Sequence, residues 1–472
     1  MKKTTSAPQS LPNGNTADAK IGLLSWQLPA SIAFVCCIVI SVYHFFAPLY
    51  SNMLLAFVLF PASMGVLALL LYTRQYFKYA EVRIMAALFV WMMVGLILNN
   101  WRLKNALTSP WFYCVCASTF LCFSLPYAFD KETLKKALSV FAVVMLVCAA
   151  ALCAAGLYVV LSGCAVPEAI TNLGKFGISS EGRLYLLVHP NTVAPICGTA
   201  ILLSGYLFTR TRKWFLKVLL IFGIALFYCT MALTDSRTGI FSASIGVALE
   251  IFLFANVSFT RIKHSFARVL ISAVAALLIL CAFVIGISLV RAAYNGYVAS
   301  AETAAETAAS AKTAETAAEE AASRGMTNAD TFSGRTDIWL GTLKGLSEHP
   351  DLLLTGATPL LSSSIMAQYF PKGSPVGNFH NTYLASLVSF GIPGVVVILA
   401  FLVLLAIASA KLSFTNLKDA DSLGVRLMPA LLLFALPETM MEAFLFVEIS
   451  LNVIWVWFLF TAGFVFRMQK SE

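Results

Sequence analysis

The stretch ALSVFAVVMLVCAAALCAAGLYVVLSG (137–163) contains no charged residue and follows closely on Lys131, Lys135 and Lys136. It exceeds the about 20 largely apolar residues that a helix needs to cross a bilayer. Similar runs recur along the 472-residue chain, which is 59% hydrophobic and 12% charged, whereas soluble domains average roughly 45–50% and 25%. The sequence therefore predicts an all-α polytopic membrane protein. It excludes a disordered chain, a secreted disulfide-rich protein and a cytosolic Rossmann-type enzyme.

Apolar runs of span length predict about 12 transmembrane helices. The last two runs are the most irregular, because Pro437, Glu438 and Glu442 interrupt them. The predicted spans are approximately 29–49, 53–72, 84–100, 109–127, 137–163, 190–208, 218–233, 238–257, 269–290, 381–410, 427–446 and 447–466.

The distribution of lysine and arginine predicts the orientation of these spans. With a cytoplasmic N-terminus, every inner segment carries at least two basic residues, and most of the 32 lysines and arginines lie on that side. Orientation follows this bias in short loops. We therefore expect two cytoplasmic tails, 1–28 and 467–472, with helices 1–9 over 29–290 and helices 10–12 over 381–466. The net charge of +9 then needs no nucleic-acid partner.

Two outer loops remain, a long one over 291–380 and a shorter one over 164–189. The long loop contains an Ala/Glu/Thr-rich insert (299–325) without a large apolar stripe, which is typical of a solvated helix or a disordered spacer. Further along, apolar side chains at helical spacing after Arg335 predict a short amphipathic helix on the membrane surface. They are Ile338, Trp339, Leu343 and Leu346. Non-helical backbone needs water or protein as hydrogen-bond partners. We therefore expect the functional site on this outer face, where the two large loops lie.

Neither a metal site nor a cofactor site is predicted. The 11 cysteines lie almost entirely within apolar runs, where thiols behave as small hydrophobic groups, and no Cys/His spacing resembles a zinc site. Asp419-Ala420-Asp421 fits the DxD pattern of metal-dependent glycosyltransferases. It lies beside Lys418 on a predicted cytoplasmic loop, away from the other polar residues, and is interpreted as a solvated pair of carboxylates.

Four polar residues at the outer face are not explained by topology: Arg183, Arg237, Arg335 and His380. Outer loops are usually poor in arginine, so the three cations oppose the charge bias. Each residue also has a structural interpretation. Arg237 could cap a helix or extend to the lipid headgroups, Arg335 could anchor an interfacial helix, and a single histidine is more often structural than catalytic. His189, which precedes Pro190, is interpreted as part of a helix-starting turn that Asn191 could cap.

The residues around these positions resemble the O-antigen ligase and Wzy-type polymerase family of bacterial envelope enzymes. The resemblance covers roughly 180–400 and rests on four blocks in the family's order. They are GRLYLLVHPNTVA (182–194), TDSRTGIFSA (234–243), SGRTDIWLGTLKGLSEHP (333–350) and FHNTYLASLVSFGIPG (379–394). The Ala/Glu/Thr-rich insert is a departure from the family pattern, although it removes none of the four blocks.

The resemblance implies a membrane glycosyltransferase of the GT-C type in the bacterial cytoplasmic membrane. Such enzymes take a glycan from an undecaprenyl diphosphate carrier at the outer face and are thought to need no metal ion. The family's key residues match Arg237, Arg335 and His380. Guanidinium groups suit the diphosphate leaving group because they bind phosphate oxygens in a bidentate geometry, and a histidine suits the general base that activates an acceptor hydroxyl. Direct attack would invert the anomeric centre.

The remaining candidates are substrate-binding residues: Arg183, His189, Asn191, Asp235 and Asn381. Asp235 is also the rival general base, and its structural interpretation is an ion pair or a cap on its turn. Within the family, a ligase passes the glycan to a lipid A–core or another acceptor, whereas a polymerase passes it to a second lipid-linked repeat unit. The alternative from another class is a lipid-linked glycan flippase or transporter, for which a charge-lined pathway across the membrane would be expected.

Overall fold

The computed structural model describes residues 80–99, 125–164, 175–179, 182–259, 264–308, 335–357, 364–370, 379–414, 423–442 and 458–465, with a few isolated positions besides. The helices among them are α1 (Ala80–Asn99), α2 (Lys131–Ser162), α3 (Pro190–Arg210), α4 (Trp214–Leu233), α5 (Arg237–Ser258), α6 (Ser265–Ala308), α7 (Arg335–Glu348), α8 (Leu352–Thr355), α9 (Thr382–Phe414) and α10 (Leu423–Met441). Two short strands, β1 (Phe176–Ile178) and β2 (Leu184–Leu186), lie between α2 and α3. Residues 458–465 are also helical.

Six of the described helices are long and apolar enough to cross a membrane. They run over Glu132–Ser162, Pro190–Arg210, Trp214–Leu233, Arg237–Ser258, Ser265–Val298 and Thr382–Lys411. The chain is thus an all-α polytopic membrane protein, as predicted, with one small hairpin. Several predicted features lie outside the described residues: the tails 1–28 and 467–472, the span 53–72, most of the spans 29–49, 109–127 and 447–466, and the Asp419–Asp421 pattern.

Local capping explains where the helices near the predicted site begin. His189 is the N-cap of α3 and its ring accepts a hydrogen bond from the backbone N–H of Asn191, while Pro190 fills the first helical position. Ser236 is the N-cap of α5 and its hydroxyl accepts from the N–H of Gly239 at 3.4 Å. These two helices therefore start at defined residues next to the sequence blocks that indicate function.

The core between α3, α5 and α10 depends on small residues. Phe434 of α10 is fully buried, and a Cβ atom at Gly246 of α5 would lie 3.0 Å from its Cβ. A Cβ atom at Gly198 of α3 would lie 2.8 Å from its ring. The two glycines therefore let α3 and α5 close around the Phe434 side chain, in line with the small-residue interfaces of membrane helices.

The shorter outer segment, predicted only as a loop, contains an antiparallel hairpin. Phe176 pairs with Leu186 and Ile178 with Leu184, and both leucines are fully buried. Arg183 directly precedes β2, and its backbone carbonyl accepts a hydrogen bond from the N–H of Ser179 at 2.9 Å. The hairpin thus fixes the backbone from which the Arg183 side chain extends.

The helix of the ninth predicted span continues beyond residue 290, where its end was expected. A loop was expected from 291, but α6 continues as one helix from Ser265 to Ala308, over 44 residues or about 66 Å. The reason is local: alanine and glutamate favour helix, and no proline interrupts the chain between the span and the start of the insert at 299. Residues 309–325 of the insert lie outside the described residues.

In the described part of the long loop, α7 packs against the rest of the protein through one face. Ile338, Thr342 and Leu346 form a buried face of this helix, whereas Leu343, which the spacing placed with the apolar stripe, is 51% exposed. The indole N–H of Trp339 donates to the backbone carbonyl of Phe379 at 3.2 Å. Since Phe379 directly precedes His380, this contact ties α7 to the backbone that carries the histidine.

Candidate active site

The predicted site residues lie around helix termini at one end of the bundle. At this end α3 begins at Pro190, α5 begins at Arg237, α9 begins at Thr382 and α10 ends at Met441. Hydrogen bonds join these termini directly. The amide of Asn381 donates to the backbone carbonyl of Met440 at 3.0 Å, which ties the start of α9 to the end of α10.

Glu442, directly after α10, connects several of these segments, and its side chain is only 8% exposed. One carboxylate oxygen accepts from Arg335 at 2.5 Å and from the amide of Asn191 at 2.8 Å. The other lies 2.8 Å from Nδ1 of His380. The backbone carbonyl of Glu442 accepts from the hydroxyl of Thr382, also at 2.8 Å. One buried carboxylate thus brings together side chains from α3, α7 and the segment before α9.

The surroundings of Glu442 favour its charged form. Burial raises the pKa of this carboxyl, but the hydrogen bond from His380 and the charges of His380, Arg335 and His189 together outweigh that effect, so the pKa lies below its usual value. An ionised carboxylate can only accept hydrogen bonds. The contact with His380 therefore assigns the proton to Nδ1, which leaves Nε2 as the basic nitrogen of the neutral ring.

His380 is held in an unusual backbone conformation. Its φ angle is +46°, in the left-handed region that few residues other than glycine adopt. The next residue, Asn381, is anchored on both sides, since its amide nitrogen contacts Met440 and its oxygen accepts from the N–H of Leu384 at 2.9 Å. Asn381, predicted to bind substrate, thus has two contacts within the protein, and these hold the backbone next to His380.

Arg183 belongs to the same network through Asn191. Its Nη2 atom donates to the side-chain oxygen of Asn191 at 2.6 Å, and its Nε atom donates to the backbone carbonyl of Thr234 at 3.0 Å. Asn191 then donates to Glu442 from its nitrogen. The Asn191 amide therefore connects the Arg183 guanidinium to the Glu442 carboxylate by two hydrogen bonds. His189 has an exposed side chain and caps α3 beside it.

Arg237 and Asp235 lie beside this network rather than within it. Arg237 is the first residue of α5, its side chain is exposed, and no ion pair or hydrogen bond of that side chain is found among the described residues. The next residue, Thr238, lies 3.4 Å from Nη1 of Arg335 through its hydroxyl. Asp235 instead forms an ion pair with Arg291 of α6 at 2.5 Å.

Sequence reasoning selected Arg335, His380 and Asn191, which meet at one carboxylate, but it missed Glu442 and Arg291. The sequence shows Glu442 only as an interruption of an apolar run, although an acidic residue in such a run is itself an indication of function. Within the described residues, no group of three or more His, Cys, Asp or Glu side chains is arranged to hold a metal ion.

The fold and this charged cluster define a polytopic helical membrane protein with a polar site at one end of its bundle. Residues 220–399 match the family model Wzy_C, described as O-antigen ligase. This part of the chain is thus similar to that family, and the predicted resemblance is confirmed over the range that holds the last three of the four blocks. The matched range contains Arg237, Arg335 and His380, whereas Glu442 lies beyond it. No curated protein matches the chain.

Proposed function

We propose that this protein is an inverting, metal-independent glycosyltransferase that moves a glycan from undecaprenyl diphosphate to an acceptor sugar hydroxyl. The observation that carries the proposal is the buried contact of His380 and Arg335 with Glu442, because it joins a candidate base to a candidate phosphate ligand. The family match adds that the domain is of the O-antigen ligase kind, which implies a glycosyltransferase-like activity.

In the proposed reaction, His380 acts as the general base. Nε2 removes the proton of the acceptor hydroxyl while the hydroxyl oxygen bonds to the anomeric carbon of the donor. The bond from that carbon to the diphosphate breaks on the opposite face, and its electron pair leaves with the diphosphate. Such proton transfer typically contributes about 10²–10⁴-fold to the rate. Glu442 holds the ring in the required tautomer and stabilises the imidazolium, as the carboxylate does in a catalytic triad.

Arginines neutralise the charge that develops on the leaving diphosphate. Arg237 is the first candidate, since it is the first residue of α5 and its guanidinium is exposed. The next residue, Thr238, is in contact with Arg335. Arg335 is the second candidate. Arg183 is the third, because it donates a hydrogen bond to the backbone carbonyl of Thr234 in the turn before α5. Preorganised cations of this kind stabilise a transition state because they need not reorient as charge develops.

We further propose the outer face of the cytoplasmic membrane as the location of this site, with both chain termini in the cytoplasm. The undecaprenyl chain of the donor and the membrane lipids are then the protein's lipid partners, and the acceptor is a glycan or a lipid-linked glycan. A ligase with such an acceptor is the first candidate, and a repeat-unit polymerase of the same family is the second. The predicted loop over 291–380, with its insert at 299–325, belongs to the same outer face in this proposal.

The test is glycan transfer in membranes that contain undecaprenyl diphosphate-linked glycan, with and without the protein. We expect His380→Ala to insert normally and to abolish transfer. Arg237→Lys and Arg335→Lys should each lower the rate, because an ammonium group cannot reproduce the bidentate contact. Full activity of His380→Ala would remove the general base.

The products of the same assay separate the alternatives. Longer lipid-linked glycans indicate a polymerase, whereas glycan on a separate acceptor indicates a ligase. A protein that only moves the unchanged donor across proteoliposomes would be a flippase, which would contradict the enzymatic proposal.

A further inference from the structure

Four arginines surround one tight turn at the start of α5. Arg183 donates to the carbonyl of Thr234, Arg291 pairs with Asp235, and Arg335 contacts the hydroxyl of Thr238. The fourth, Arg237, belongs to the turn itself. The four guanidinium groups come from the hairpin, α6, α7 and α5, so that separate parts of the fold supply positive charge to the turn at 234–238.

The anionic groups near these arginines differ in how deeply they are buried. Glu442 is enclosed and shared by several donors. By contrast, the Asp235–Arg291 pair is open to solvent, with side chains 31% and 41% exposed. Exposed ion pairs contribute little to stability, because solvent screens both charges. Another anion can therefore replace Asp235 at Arg291 at small cost.

The backbone of the turn favours this arrangement. Asp235 has a φ angle of +52°, which aspartate and asparagine tolerate better than most residues. Arg291 lies far along α6, and no motif of the sequence marks it as a site residue. The helix brings it to Asp235, two residues from the exposed Arg237.

We propose that Arg291 is a fourth ligand of the donor diphosphate and that Asp235 occupies its place until the donor binds. This inference rests on the proposed function, because that function supplies the diphosphate. On binding, a phosphate oxygen takes the position of the Asp235 carboxylate at the guanidinium of Arg291. No covalent bond changes in this exchange. Asp235 is then a competitor for the cation rather than the rival base that its sequence position suggested.

The experiment measures binding of undecaprenyl diphosphate, without any glycan, to the purified protein in nanodiscs. Arg291→Gln should weaken binding by about tenfold, the loss expected for a charge-assisted hydrogen bond. Asp235→Asn should tighten binding by about two- to fivefold, because the competing exposed ion pair is gone. The double variant should bind like Arg291→Gln alone. Undecaprenyl monophosphate should show a smaller difference between the variants.

Arg268→Gln is the matched control, since Arg268 lies at the opposite end of α6 and contacts Asn256. It should bind undecaprenyl diphosphate like the unchanged protein. Equal weakening by Asp235→Asn and Arg291→Gln, or unchanged binding in Arg291→Gln, would overturn the proposal and leave a structural ion pair. The variant His380→Ala should lose glycan transfer but bind undecaprenyl diphosphate normally. The two proposals can therefore fail separately, because the binding measurement tests only the exchange at Arg291.

Discussion

At the scale of single residues, the most informative feature is that Glu442 serves several donors at once. Arg335, Asn191 and His380 all contact its carboxylate within 2.8 Å. A buried ion pair adds little net stability, yet removal of one partner is costly, about 3–5 kcal/mol, because the other charge is left unpaired. The network therefore serves mainly to hold His380 and Arg335 in fixed positions relative to each other.

Glu442→Gln tests this role. We expect glycan transfer to fall by about 10²–10⁴-fold, because a neutral amide no longer stabilises the imidazolium that forms on His380. The measurement is the initial transfer rate in membranes with matched protein levels. Glu438→Gln is the control, because Glu438 is fully buried one helical turn earlier while Arg335, Asn191 and His380 all contact Glu442. Its activity should remain near that of the unchanged protein.

The variant Glu442→Gln also separates the electrostatic role of Glu442 from a packing role. The pKa of Glu442 lies below its usual value, so its charge stabilises the folded protein above the unfolded pKa, and this contribution is lost as pH falls through the folded pKa. The stability difference between the unchanged protein and Glu442→Gln should therefore shrink as pH falls below the ordinary carboxylate range. Thermal unfolding in detergent at a series of pH values measures it. A difference independent of pH would contradict the ion-pair account.

The sequence indicates which residues belong to the site better than it indicates which side chains those residues contact. Arg335 can be selected because an arginine in an outer segment opposes the charge bias, and His380 because it lies in the fourth family block. Their common partner cannot, since it depends on α10 ending next to the start of α9, far away in the sequence. Burial and hydrogen bonding assign Glu442 its role, whereas its sequence neighbourhood shows only an interrupted apolar run.

At the scale of elements, apolar runs predict most helices to within a few residues. The run 190–208 became Pro190–Arg210 and the run 238–257 became Arg237–Ser258, because capping residues flank both. The hairpin was missed because its strands are three residues long, too short for a period of two to be visible. The helix α6 extends beyond the predicted end of its span because the start of the insert is rich in good helix formers.

The break within α9 gives an element-scale prediction. Gly391 has φ +67° and ψ −174°, a conformation essentially restricted to glycine, and a Cβ there would lie 2.8 Å from the carbonyl oxygen of Leu354. The freed carbonyl of Phe390 accepts a hydrogen bond from the indole of Trp91 at 2.7 Å. Gly391→Ala should therefore destabilise the protein by about 1–3 kcal/mol or more. A lowered unfolding temperature in detergent is the measurement.

Gly296→Ala provides the comparison for that substitution. Gly296 lies within α6, and a Cβ there would meet no atom within 4 Å. Alanine favours helix over glycine by about 1 kcal/mol, so this variant should be neutral or slightly more stable. Equal unfolding temperatures for the two variants would show that the break at Gly391 is not held by the backbone contacts described above.

At the scale of the whole molecule, the two ends of the described bundle differ in chemistry. One end holds the buried network of Glu442 and the arginines around the turn at 234–238. The other holds Arg210, Lys213 and Arg268, where α3 ends, α4 begins and α6 begins. The basic residues at this second end are of the type that the charge bias retains in the cytoplasm. The chemistry of the two ends thus predicts which one faces the outside.

Thiol labelling in spheroplasts tests that orientation. Cys164 is exposed just beyond α2, at the end near the hairpin, so a membrane-impermeant maleimide should label it from outside, and Cys164→Ser should lose this labelling. In the Cys164→Ser background, Arg212→Cys introduces a thiol at an exposed position between α3 and α4, at the opposite end. It should react only after the membrane is permeabilised. The reverse pattern would put the Glu442 network on the cytoplasmic side, where the proposed donor site at the outer face cannot lie.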